Sequence, residues 1–358
     1  MSDVLKASLE VLNELPVSAD AERFLEPDDA AERIRRLAAR HPDIAHYVQI
    51  GESEEGRLID GVVLGRGNRH VSLLAGNHSD EPVGPDFLRR FVTVVLSHPD
   101  ACSALLSAFR FFVIPHTNPD GAFRNRTWRQ AWGDDAGGIV TEYLRHAVRE
   151  PPGRDVEFGF PDMRPENGAV AAWLRKHGPF VLHGSLHGMG ISAGALLLIE
   201  KNWGYRAALL QERFRQAAQV EDFPLYDRNR QGEKGFFYLA PGFWTTPEGS
   251  AMRAFFEARN DKETAALFRS SSMEYVRSLG GDPLCYVTEL PLFLVGDMPP
   301  GKGSQQVISA LRLRIAHGED VDEDIKQLNL RTLPLAAALR MQLRTLSAAL
   351  EQVVAGEG

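Results

Sequence analysis

Residues 70–84 read HVSLLAGNHSDEPVG. A short apolar run stops at Gly76, and a histidine and a glutamate follow three positions apart. An apolar run of this length closed by a breaker is the pattern of a central strand covered on both faces. In an α/β sheet the loops at the carboxyl ends of such strands converge on one crevice. His78 and Glu81 therefore fall where side chains from several strands meet. A neutral imidazole nitrogen and a carboxylate oxygen together suit a borderline divalent cation such as zinc.

Working outward, residues 85–97 carry apolar positions on one helical face, with Pro85 tolerated in the first turn. Residues 27–41 form a second amphipathic helix, with Asp28 or Asp29 as the cap. Residues 45–50 and 57–65 alternate as strands, and 109–115 and 285–295 read as further strands. A helix at 168–178 leads into a strand at 180–188, and 205–220 is helical. Strands alternating with helices predict an α/β fold with a mixed, mostly parallel central sheet and helices on both faces. After PPGKG at 299–303, residues 304–353 are nearly all helix formers, which predicts a C-terminal helical extension.

Composition narrows the function. The chain of 358 residues has a formal net charge of −8 with both signs interspersed, and shows no basic stripe, which argues against a nucleic-acid partner. No apolar run is long enough to cross a bilayer. The N-terminus lacks a basic start followed by an apolar core, so the expected location is cytoplasmic. The two cysteines, Cys102 and Cys285, are then expected as free buried thiols.

Two ligands do not make a metal site. His187, at the end of the apolar stretch HGPFVLHGSLHG, is the candidate third. Two histidines and one glutamate with a fourth position left open is a catalytic zinc arrangement. Taken singly, an H-x-x-E pair is common, and a lone strand histidine is ordinarily a hydrogen-bonded core residue.

Several segments, in order, resemble the zinc carboxypeptidase (M14, carboxypeptidase A-like) family over about residues 22–300. They are IGESEEGRLIDGVVLG, AGNHSDEPVG, IPHTNPDGAFRNRTWR, KHGPFVLHGSLHG and YVTELP. The resemblance implies one Zn2+ per chain held by His78, Glu81 and His187, with His187 preferred over His183 because Ser185-Leu186-His187 matches the family's register. It implies Glu289 as the general base and Arg129 as the cation for the developing oxyanion, with Arg126 as a second cation in the pocket. Asn118, Pro119, Asp120 and Gly121 form a turn and take a structural role. The implied division is an N-terminal segment 1–21, a catalytic domain 22–300 and a helical appendage 301–358 that offers a dimer contact.

The family's Asn-Arg pair for a free carboxylate, within D-x-N-R-x-F-P, is missing. Glu157 and Phe158 stand in those places. Glutamate repels a carboxylate, so Glu157 is expected to accept an amine or amide from the substrate, unless Arg154 or Arg164 restores the charge. Ala266, Leu267 and Phe268 replace the family's mobile tyrosine, and Met273 is expected to line an apolar pocket wall. The implied activity is zinc-dependent hydrolysis of a peptide or small amide. The alternatives are an N-acyl amino acid deacylase similar to aspartoacylases, and an inactive peptide-binding module.

Overall fold

The computed structural model describes residues 3–133, 138–296 and 304–356. Ten strands form one mixed sheet: β1 (Ala45–Glu52), β2 (Leu58–Leu64), β3 (Arg69–Ala75), β4 (Phe109–Ile114), β5 (Leu182–Ser192), β6 (Leu196–Ile199), β7 (Tyr238–Ala240), β8 (Phe243–Thr245), β9 (Leu284–Val295) and β10 (Leu330–Thr332). The order is β1-β2-β4-β3-β5-β9-β6-β8-β7, with β10 pairing the far end of β9. The centre, β4-β3-β5-β9, is parallel. Its strands are almost continuously apolar and buried because helices cover both faces. The β1–β2 hairpin adds antiparallel to β4 at one edge.

Strand register places the site. Ala75, the last residue of β3, pairs with Leu186 of β5, so the His78 loop leaves the sheet one residue before His187. His187 in turn pairs with Glu289 of β9, and register partners on neighbouring strands project to the same face. Gly76 makes the turn out of β3 with φ +79°, and a Cβ there would lie 2.4 Å from the His116 ring. Only glycine meets both demands.

The Asn118–Gly121 turn is structural, as its residue types predict. Asn118 caps the helix Pro119–Arg124 by accepting from Gly121 N–H at 3.0 Å. Asp120 is buried and accepts from Ser53 Oγ at 2.6 Å and from Arg57 at 2.7 Å, which fastens the β1–β2 turn to this segment.

The C-terminal region differs from expectation. The boundary at 299–303 lies outside the described residues. Beyond it, β10 joins the central sheet, and the helix Leu335–Ala355 buries 16 of its 21 residues. That helix packs against the helices Asp3–Asn13, Val83–Ser97 and Ala208–Val220 as well as β5 and β9. Residues 304–356 and the first helix thus pack into the same core as the sheet, and the C-terminal region is not a separate appendage. A helix buried this far presents no broad apolar face for a dimer. Gln342 even donates from it to Thr288 of β9 at 2.9 Å, next to Glu289.

Leu350 in this helix is fully buried. Leu350→Ala is expected to destabilise the fold by about 2–5 kcal/mol in chemical denaturation. Deleting residues 304–358 should abolish cooperative unfolding; a truncated chain that melts like the full one would return the segment to the status of an appendage.

Candidate metal centre

His78, Glu81 and His187 each present a ligand atom, all within 4.8 Å of one another. His78 Nδ1 and His187 Nδ1 face each other at 2.9 Å, and Glu81 completes the triangle at 2.9 Å from the first and 3.0 Å from the second. His183, the competing histidine, points elsewhere. It is fully buried, contacts Ser72 Oγ at 3.0 Å, and burial pushes its pKa down to about 4.

Each imidazole is held from behind. His78 Nε2 lies 3.3 Å from Asp155, and His187 Nε2 lies 3.2 Å from Glu157 and 2.9 Å from Ser185 Oγ. A carboxylate on Nε2 fixes the proton there and turns the Nδ1 lone pair inward, the tautomer a metal ligand needs. Burial alone would lower both histidine pKa values. Glu81 and Asp155 outweigh it and raise His78, and Glu157 and Glu81 raise His187 to about 9. The surroundings therefore favour positive charge at the centre of the triangle. Two facing lone pairs at this separation require a shared proton or cation, and the donor set of two imidazoles and a carboxylate fits zinc.

Glu157 differs from its expected role. It is 3% exposed, and its carboxylate accepts from Asn77, from Ser272 N–H at 3.0 Å and from Ser272 Oγ at 2.9 Å, besides facing His187. It has no oxygen left for a substrate amine; it orients His187. Burial pushes its pKa up, but the His187 hydrogen bond, the charges of both histidines and Asn77 hold it below the usual glutamate value. Phe158 packs edge-on against Phe268 with ring centroids 5.6 Å apart, so the two departures from the family pattern fill each other's space. Arg154 is taken by Glu54, and the fully buried Arg164 side chain lies 2.6 Å from Glu166, so neither restores the missing charge. Met273 is 4% exposed and packed in the core rather than on an open wall, with its sulfur 3.1 Å from Ser272 Oγ.

Neither Arg129 nor Arg126 contacts the triangle. The Arg129 guanidinium lies 3.8 Å from Glu26 in a separate cavity, and Arg126 is exposed, stacked 3.8 Å from the Phe123 ring centroid. The cation at the site is Arg149, which sequence reading missed. It donates to Glu81 at 3.0 Å, contacts His78 Nδ1 at 2.8 Å and lies 3.6 Å from Asp80. Its neighbours hold it there. Val148 accepts from Ser79 Oγ at 2.6 Å and Asn125 at 2.8 Å, and Glu150 accepts from Asn118 at 2.8 Å and Ser79 at 2.6 Å. The NPDG…NR stretch thus carries Arg149 to the site instead of supplying an arginine of its own. Glu289, the register partner of His187, has its pKa pushed up to about 8 by burial and by the Glu81 charge, against the pull of His187, His78 and Arg149.

Comparison with known proteins agrees with this geometry. The family description "Zinc carboxypeptidase" (Peptidase M14) matches residues 31–221, 191 of the 358 residues, and that span contains His78, Glu81 and His187. Human carboxypeptidase A6 is 30% identical over 177 residues, 40% of this chain and 38% of that protein. Carboxypeptidase B of Astacus astacus is 31% identical over 101 residues, 26% of this chain and 33% of that protein. The matched stretches thus span well under half the length of these curated relatives. Among solved structures, carboxypeptidase A from Helicoverpa armigera aligns with a TM-score of 0.54 at 15% identity, covering 99% of this chain and 82% of that one. Bovine thrombin-activatable fibrinolysis inhibitor, in complex with tick carboxypeptidase inhibitor, aligns at 0.53 and 15% identity, covering 94% and 99%. The chain belongs to the zinc carboxypeptidase family, Peptidase M14.

Proposed function

We propose that this protein hydrolyses a peptide or small amide bond with one zinc ion held by His78 Nδ1, His187 Nδ1 and Glu81. The observation that carries the reading is the inward-facing pair of Nδ1 atoms, each backed by its own carboxylate. When bound, zinc supplies Lewis acidity that polarises a carbonyl and lowers the pKa of water toward neutrality. Glu289 is the base. Its pKa is raised by burial and then by the Glu81 charge, and a cation held beside Glu81 would bring it down toward the working range of a proton shuttle at neutral pH. Arg149 is the cation for the carbonyl oxygen as negative charge develops on it. Asp155 and Glu157 hold the two imidazoles, and Phe158 with Phe268 presents an apolar surface where a carboxylate clamp would stand. The substrate is therefore one whose terminal carboxylate is not gripped by an Asn-Arg pair.

Metal content and rate test different parts of this reading. Glu289→Gln should retain stoichiometric zinc by elemental analysis while peptide or amide hydrolysis falls by roughly 10²–10⁴. Arg149→Met should lower kcat by about 10²–10³, whereas Arg129→Gln leaves kcat within a small factor; equal losses in the two variants would remove Arg149 from its role. Asp155→Asn and Glu157→Gln should each weaken zinc binding by about 10–100-fold.

Zinc must displace protons from the histidines. His187 sits at about 9 without metal, so protons compete below that pH and affinity rises with pH up to it. Calorimetry in buffers of different ionisation enthalpy should show proton release on binding at pH 7. Affinity independent of pH would contradict the assignment of His187 as a ligand.

A further inference from the structure

A cavity of about 680 Å³ lies between the helix Pro27–Arg40, the β1–β2 hairpin and residues 115–130. It shares no lining residue with the metal triangle or Glu289. At its inner end are Arg89 and Arg129, 9% and 8% exposed. No acceptor or carboxylate among the described residues contacts the Arg89 guanidinium. The carboxylate nearest in sequence, Asp86, is committed to Arg90 at 2.7 Å and to the Leu25 N–H at 2.6 Å. For Arg129 the sole ion partner among the described residues is Glu26 at 3.8 Å, beyond hydrogen-bonding distance. Burial and the charge of Arg129 bring the pKa of Arg89 down to about 10, the response of a cation whose counter-charge is missing.

Other charges around the cavity do not fill the gap. Glu32 pairs with Arg35 at 2.7 Å, and Arg57 with Asp120 at 2.7 Å. Asp28 and Asp60 act on Arg89 only at a distance. The rest of the wall carries Arg126, stacked on Phe123, and Gln130 beside the apolar and aromatic Ile34, Val62, Tyr47 and Phe123. Two buried guanidiniums line this cavity, and each is a planar fork suited to a two-oxygen anion. The volume is that of a small organic ligand rather than a bare ion.

We propose that this cavity is a second binding site, separate from the metal centre, for a small organic anion: a carboxylate or phosphate head held by Arg89 and Arg129 on an apolar or aromatic body lying against Tyr47 and Phe123. The acids Asp28 and Asp60 in the wall disfavour a polyanion.

Titrating the full-length protein with benzoate, phenyl phosphate and inorganic phosphate tests this, by calorimetry and by the shift in Tm. The expected result is saturable one-to-one binding of at least one aryl anion, with inorganic phosphate at least tenfold weaker. The stronger aryl probe identifies the head group. Arg129→Gln and Arg89→Leu should each weaken binding at least tenfold, and Glu81→Gln should leave it unchanged. Arg129→Gln removes the partly paired cation and keeps the test open if Arg89→Leu does not fold. No saturable binding of either aryl anion, or unchanged affinity in a folded arginine variant, overturns the site. Loss of binding in Glu81→Gln places the probe at the metal centre and does the same. Inorganic phosphate binding as tightly as phenyl phosphate overturns the organic body.

Discussion

Two imidazole Nδ1 atoms lie 2.9 Å apart, each ring with a carboxylate at its Nε2, and this arrangement favours positive charge between them. Glu81, Asp155, Glu157, Asp80 and Glu289 surround this point, and the nearby fixed cation is Arg149. Burial is the main reason Glu289 is hard to ionise, and the nearby Glu81 charge adds to it. A divalent cation held by His78, Glu81 and His187 would offset that charge and lower the pKa of Glu289. The metal reading and the base reading therefore rest on the same imbalance of charge.

The sheet delivers these groups by register rather than by loop flexibility. β3, β5 and β9 are neighbours, so His78, His187 and Glu289 arrive within a few residues of one sheet end. Gly76 lets the first ligand loop leave β3 abruptly without striking His116. On the other side of β9, the long C-terminal helix reaches Thr288 through Gln342, so the strand that carries Glu289 is braced from beneath. Sites on braced strands hold their geometry more closely than sites on free loops. That accounts for a C-terminal segment packed this deeply into the core.

The parts legible in the sequence were those with a local physical signature. Continuous apolar runs marked β3, β4, β5 and β9, and the His-x-x-Glu pair after a glycine marked the ligand loop. The edge strands β7 and β8, three residues each, carry too little pattern to register. Arg149 was illegible for a different reason. Its place is set by hydrogen bonds that Val148 and Glu150 make with Ser79, Asn118 and Asn125, and no spacing in the sequence encodes those long-range pairs. The residue type of Glu157 suggested a substrate contact, but its role depended on direction, which only the fold reveals. Arg129 and Arg126 were misplaced because a short helix, Arg126–Gln130, turns them toward another cavity.

Arg149 also links metal binding to readiness for chemistry. An imidazole Nδ1 has one lone pair, so His78 cannot accept an N–H from Arg149 and ligate an ion at once. Arg149 lies 2.8 Å from that Nδ1 and would have to give up the contact for His78 to ligate an ion. Its backbone stays where Val148 and Glu150 hold it, and Glu81 and Asp80 keep the guanidinium close. A donor freed in this way would be available to a substrate oxygen. On the proposed reading, a single arginine would serve both as a cation beside the ligands and as the donor to the oxyanion. The arginine at the site therefore differs from Arg129, to which the family's sequence pattern points.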